Sequence, residues 1–219
     1  MSLDLTLDAS EEARFLNRIS RLVKRLARKT HFTAREVEVC LLIYYKMVRA
    51  DEGSLGGMLV SRHQLDAVFD ASFGITDSAT IGRIFTALDK SVTTHVTMET
   101  WTRMLSLFLR GTLDEKIDHC FRAYDISGEG LIRREHMMVL LKGCFIKQQE
   151  EDAEEDIKDL TELIIRQLDM DRDGAISLDD FREAVRKAPE MLECFGQALP
   201  DRPHVYAFSR TFLNRVSKY

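Results

Sequence analysis

The sequence predicts an all-α chain assembled from repeated helix–loop–helix units, and three observations carry that prediction. The stretch from Asp169 to Asp180 places oxygen donors at the spacing that wraps a hard cation. An apolar frame in the same register recurs around two earlier loops. The segments flanking each loop are amphipathic at helical period.

The clearest loop carries carboxylates Asp169, Asp171, Asp173 and Asp180 at positions 1, 3, 5 and 12. Ala175 offers its carbonyl at position 7, and Ser177 acts at position 9 directly or through water. Gly174 at position 6 permits the sharp turn, and Ile176 at position 8 is apolar, as needed where two loops pair edge to edge. This is the EF-hand pattern, and it predicts Ca2+ or Mg2+ as the bound ion. Asp180 is one methylene shorter than the usual glutamate, which makes bidentate closure harder and magnesium-like six-coordination more accessible. The expected affinity is at or weaker than the sensor range of about 10⁻⁷–10⁻⁵ M.

Taken in order, residues 1–30 form an N-terminal basic amphipathic helix over 11–29. Phe15, Ile19, Leu22 and Leu26 make its apolar stripe, and Arg14, Arg18, Arg21, Arg25 and Arg28 a neighbouring one. The arginines are either a solvated face or a docking element for an acidic surface such as tubulin, a coiled coil or anionic lipid. Residues 31–110 read as a degenerate EF-hand pair. Thr33 with Glu36 opens a helix through Val39, Leu42, Ile43 and Met47. Gly53, Gly56 and Gly57 break it, the apolar run Met58-Leu59-Val60 follows, and Ser61 with Gln64 caps a helix ending at Gly74. That outline is a hand without metal ligands.

Loops then open at Asp89, Asp125 and Asp169, spaced 36 and 44 residues apart. Position 8 is Val96, Ile132 and Ile176, and the residue after position 12 is Trp101, Met137 and Phe181. The Asp89 loop keeps the frame but has Ser91, Thr93, Thr94 and Thr100 where ligands and the turn glycine belong, with Glu99 directed away, so no calcium site is expected there. The Asp125 loop is a weak or degenerate metal loop, with Asp125, Ser127 and Glu129 at 1, 3 and 5, Gly130 at 6 and Leu131 at 7. His136 at position 12 removes the closing carboxylate and reads as a surface residue, because a hard cation gains little from imidazole.

Residues 111–196 read as the C-terminal EF-hand pair, opened by Thr112 with Glu115. The acidic run Gln148 to Asp156 reads as a solvated linker before the helix of Ile157, Leu160, Ile164 and Leu168. Met137, Met138, Leu141 and Phe145 are the expected lining of a groove opened for a partner helix. After Pro189 a short helix ends near Pro200, and residues 197–219 carry a tail helix with Val205, Phe208, Phe212 and Val216 on one face. Self-docking of that tail is favoured because tethering raises its effective concentration.

Composition excludes several classes. The apolar runs are too short to cross a bilayer, no signal-peptide core follows Met1, and Ser2 stands where myristoylation needs glycine, so a cytoplasmic protein without membrane anchor is expected. Cys40, Cys120, Cys144 and Cys194 are scattered singly, which suits reduced thiols rather than disulfides or a zinc cluster. Net charge is −5, with basic ends around a middle carrying 17 Lys/Arg against 29 Asp/Glu. Phosphate loops, nucleophile motifs and nucleic-acid reading motifs are absent from the sequence, so neither an enzyme nor a nucleic-acid binder is expected.

Leu105-Ser106-Leu107-Phe108-Leu109-Arg110-Gly111 through Glu115-Lys116, Ile157-Lys158-Asp159-Leu160 and Cys194-Phe195-Gly196 to Leu199-Pro200 carry a family resemblance, extended by His31-Phe32 and Phe73-Gly74. Over residues 31–200 the chain resembles the calaxin family, ciliary relatives of the neuronal calcium sensors. The resemblance implies an adaptor that joins axonemal dynein or docking-complex helices, with possible contact to the microtubule, and tunes ciliary or flagellar beating with calcium. It also implies calcium in the loops at Asp89 and Asp125, where this sequence departs. Two other readings remain open: a regulatory subunit of a phosphatase or kinase, calcineurin-B-like or neuronal-calcium-sensor-like, and a constitutive structural docking subunit.

Overall fold

A computed structural model describes residues 8–50, 59–90, 94–144 and 150–216. The chain divides into two units: Met1–Gly111 with Pro200–Tyr219, and Thr112–Leu199. The all-α EF-hand class read from the sequence holds in both, with strand among the described residues confined to two short ribbons.

Unit 1 opens with α1 (Ala9–Ala27) and α2 (Ala34–Ala50), followed by β1 (Val60–Ser61), α3 (Arg62–Phe73), α4 (Ser78–Leu88), β2 (His95–Val96) and α5 (Met98–Arg110). The degenerate hands still pair, because β1 and β2 form an antiparallel ribbon with Val60 opposite Val96. Tyr44 ties α2 to both strands: its hydroxyl donates to Val96 O at 2.6 Å and accepts from Val60 N at 3.1 Å. Burial pushes that phenol up to about 12. Phe69 contacts Phe73 and Phe85 with ring centroids 5.4 Å apart in each case, and Trp101, with no exposed surface, donates Nε1–H to Cys40 O at 3.2 Å.

The first capping box closes through Thr33 and Glu36, whose reciprocal bonds measure 2.8 and 3.3 Å. Glu36 is nearly buried and also receives Arg110 from α5, which donates to the His31 carbonyl at 3.0 Å as well. Burial works to raise the Glu36 carboxyl, yet the Arg110 and Thr33 hydrogen bonds win and hold it below the usual carboxylate range.

Unit 2 contains α6 (Leu113–Tyr124), β3 (Leu131–Arg133), α7 (Arg134–Cys144), α8 (Glu150–Leu168), β4 (Ala175–Ser177), α9 (Leu178–Lys187) and a 3₁₀ turn, Pro189–Glu193. β3 and β4 pair antiparallel with Ile132 opposite Ile176. Tyr124 packs edge-on to Phe195 at 5.4 Å and donates its hydroxyl proton to Gly196 O at 2.7 Å. Arg182 and Arg186 of α9 reach Asp118 and Asp114 of α6 at 2.8 and 2.7 Å, fixing the outer helices of this pair.

The sequence reading of 148–156 as a linker is corrected from Glu150 onward. Glutamate is a good helix former, so the acidic run begins α8. Gln148 and Gln149 lie outside the described residues.

The final helix, α10 (Arg202–Val216), belongs to unit 1, where it packs on α2, α3 and α5. Phe208 is buried against Phe73 with centroids 5.1 Å apart. Gly74, at φ 67°, ends α3 in the left-handed region, and a Cβ there would stand 2.7 Å from His204 Cε1. The tail thus docks on its own body, and glycine permits the approach.

Candidate metal centre

The loop between α8 and α9 is shaped by its own backbone amides. Asp169 accepts from Asp173 N at 3.2 Å and Gly174 N at 3.0 Å, Asp171 from Asp173 N at 3.2 Å, and Asp173 from Ala175 N at 2.8 Å. Arg172 at φ 62° and Gly174 at φ 87° supply the two left-handed turns that fold the chain back over these carboxylates. The result brings oxygens of Asp169, Asp171 and Asp173 within 4.8 Å of one another. Pairing of Ile176 with Ile132 fixes where Ala175 stands in the ribbon.

Crowding bears on Asp171. The Asp173 amide works to lower its carboxyl, but desolvation, the charges of Asp173 and Asp180 and the hydrogen bond with Asp169 raise it above the ordinary carboxylate value. An all-oxygen donor set of this kind suits a hard divalent cation.

Asp180 stands in a different relation. It is 8% exposed, and its Oδ2 accepts from Ser177 N at 3.0 Å and Ser177 Oγ at 2.5 Å, while its amide donates back to Ser177 Oγ at 3.2 Å. The fourth carboxylate therefore completes a capping box at the start of α9. The spacing Ser177-Leu178-Asp179-Asp180 carries that signal in the sequence, and the metal pattern masked it.

The Asp125 loop has a similar backbone with fewer donors. Asp125 accepts from Gly128 N at 2.9 Å, Gly130 N at 2.8 Å and Ser127 Oγ at 3.2 Å. Glu129 pairs with Arg133 at 3.6 Å, and Leu131 lies in the ribbon opposite Ser177. His136 is half-buried rather than a surface residue, with its Nδ1 enclosed and without a hydrogen-bond partner among the described residues. The Asp125 loop thus brings one aspartate to the amide nest and directs its glutamate elsewhere.

In the Asp89 loop, Ser91 and Thr93 lie outside the described residues. The ends meet directly, since Thr100 Oγ1 donates to Asp89 Oδ2 at 3.2 Å. Glu99 pairs with Arg25 and Lys29 of the α1 region at 3.0 and 3.2 Å.

Of the side chains expected to line an opened groove, two are enclosed in this structure. Met137 and Leu141 are 0% and 2% exposed, part of the unit 2 core, while Met138 is half-buried. Phe145 lies outside the described residues. The apolar side chain that α7 presents to solvent is Val139, 62% exposed.

Comparison with known proteins fits these loops. A model of the EF-hand domain pair matches residues 114–186, which span the Asp125 and Asp169 loops. Calaxin of Xenopus laevis is 37% identical over 195 residues, covering 88% of this chain and 90% of that protein. Calaxin of Homo sapiens is 38% identical over 174 residues, with 78% and 82% covered. The chain belongs to the calaxin family. Calaxin of Danio rerio, 36% identical over 194 residues, extends the same relation along 88% of the chain. Among the described residues no helix is long and apolar enough to cross a membrane.

Proposed function

We propose that this calaxin-family chain is a non-enzymatic EF-hand adaptor of the axonemal outer dynein arm and its docking complex. It contributes to calcium-dependent regulation of ciliary or flagellar motility. The observation that carries the reading is the Asp169, Asp171 and Asp173 cluster in an EF-hand loop, within a chain akin to calaxins over most of its length.

In this reading Asp169, Asp171 and Asp173 hold the ion with side-chain oxygens, Ala175 with its carbonyl, and Ser177 directly or through water. A bound divalent cation supplies the positive charge that relieves repulsion among these carboxylates. Asp180 joins only by giving up its bonds to Ser177. Its release would loosen the first turn of α9, which β4 couples to the paired loop through Ile176 and Ile132. The Asp125 loop contributes through the ribbon rather than as an equal second site.

Rebinding of the purified chain to axonemes stripped of docking components, in calcium and in chelator, tests the proposal. Calcium-dependent recovery on doublets that carry outer dynein arms is expected. Absence of rebinding under both conditions, or co-purification with a phosphatase or kinase instead, would overturn it. A constitutive docking subunit is the second reading, favoured by the direct Asp89–Thr100 closure and the engaged Asp180, and equal rebinding in both conditions would select it.

A further inference from the structure

The apolar stripe of α1 is spent on its own body: Phe15, Ile19, Val23 and Leu26 are all buried, and the helix packs on α2 and α5. A neighbouring stripe is cationic. Arg14, Arg18, Arg21, Arg25 and Arg28 are exposed along it, with Lys24 beside them, and the sequence has no acidic residue between Glu12 and Glu36. Arg25 finds Glu99 at 3.0 Å, but Arg18, Arg21, Lys24 and Arg28 make no salt bridge among the described residues.

The exposed face of α9 is arranged differently. In α9, Arg182 pairs with Asp118 and Asp179, and Lys187 with Glu183, so signs are mixed and neutralised. Like charges three and four residues apart on α1 destabilise the helix that bears them. An uncompensated face of one sign calls for an external partner of the other.

Spacing narrows the partner. The stripe advances by 4, 3, 4 and 3 residues from Arg14 to Arg28. That seven-residue rhythm holds the charges near one line along the axis, drifting only about 20° per heptad, over roughly 21 Å. A second α-helix with carboxylates in the same rhythm matches it charge for charge, as e and g positions do across coiled coils. A membrane surface fits poorly, because insertion needs an apolar face and that of α1 is already covered.

We propose that the exposed face of α1 docks an acidic α-helix lying along its axis. This deepens the adaptor reading by naming the surface and the chemistry of one partner.

The test uses the full chain and fluorescence anisotropy with a labelled helical peptide of four heptads carrying glutamates in the 3–4 rhythm. Comparison ligands are a helical peptide of the same composition with its glutamates spread around the axis, polyglutamate, duplex DNA and phosphatidylserine vesicles. The matched helix should bind at least about tenfold tighter than each comparison and weaken as salt rises. Combined Arg18→Glu, Arg21→Glu and Arg28→Glu should cost about tenfold or more, and the three Arg→Lys changes much less. Circular dichroism checks that both variants keep the fold. Equal binding of the spread peptide, polyglutamate, DNA or vesicles, or indifference to charge reversal, overturns the proposal. The peptide result stands apart from the axoneme result, so a chain that binds the matched helix but never rebinds axonemes would refute the adaptor reading and leave the α1 surface intact.

Discussion

Calcium should raise the melting temperature of unit 2 and leave unit 1 where it is. Three clustered carboxylates with the fourth engaged by Ser177 place the loop at the weak end of the sensor range, a Kd of about 10⁻⁵ M. At about 1 mM free calcium, binding to the folded state alone contributes RT ln(1 + [L]/Kd), about 2.7 kcal/mol. For a unit the size of Thr112–Leu199 that corresponds to a rise of roughly 10–20 °C. The chain offers a way to read the units separately: its single tryptophan, Trp101, is fully buried in unit 1, so its emission follows that unit while calorimetry follows both. Asp171→Asn is the informative variant, since it removes a charge yet keeps an acceptor for the Asp173 amide. Asp169→Ala also unties the bonds from Asp173 N and Gly174 N. If Asp171→Asn kept the full calcium shift, or if the tryptophan transition moved as far as the calorimetric one, the assignment of the ion to this loop would be wrong.

Asp180→Glu should tighten calcium binding about tenfold or more by restoring reach for bidentate closure, with unchanged calorimetric affinity as the contrary result. Arg110→Ala leaves Glu36 nearly buried without its cation and should cost about 2–3 kcal/mol in denaturant titration, below a fully buried pair because Arg110 is partly exposed; adding Glu36→Gln should recover part of it, and a purely additive loss would count against the pair. Phe208→Ala should cost about 3 kcal/mol and expose α10 to proteases, whereas unchanged protection would show that Phe73 is not its anchor. His119, fully buried, is pushed down to about 3 by desolvation and secondarily by Arg122, so it is neutral when folded while the unfolded chain titrates near 6.5. The unfolded state then takes up the proton first, and stability falls with pH below about 6.5, by about 2 kcal/mol at pH 5; His119→Leu should remove that share of the slope, and an unaltered slope would refute it.

Much of the architecture was legible because it is written in local chemistry. Thr33 with Glu36, Ser61 with Gln64 and Thr112 with Glu115 all close as capping boxes, and each spacing is sufficient to announce a helix start. The apolar residue at position 8 also marked where loops pair edge to edge, and the structure sets Val60 opposite Val96 and Ile132 opposite Ile176. What escaped depends on contacts between segments distant in sequence. Periodicity in the tail showed that Phe208 faces something apolar, but nothing local names Phe73 as its neighbour. The same limit applies to Met137 and Leu141, whose pattern suits a core and a groove equally, and which this structure encloses in the unit 2 core.

The candidate site was legible as a donor list and illegible as a competition. Asp180 satisfies two patterns at once, position 12 of a metal loop and the third residue of a helix cap, and only the geometry shows which one holds its carboxylate. The same logic links all three described loops. At Asp89 a threonine hydroxyl draws the loop ends together, at Asp125 the Glu129 carboxylate is taken by Arg133, and at Asp180 a serine holds the closing carboxylate. Each substitute makes loop closure independent of an ion, in progressively smaller degree along the chain. The apolar frame needs the loops closed, whatever closes them, because Val96, Ile132 and Ile176 must stay in their ribbons for either core to pack. Ligands are therefore free to be lost wherever a hydrogen bond can take over the closure. The Asp169 loop is where that replacement is least complete, which is why the ion dependence of this protein should concentrate there.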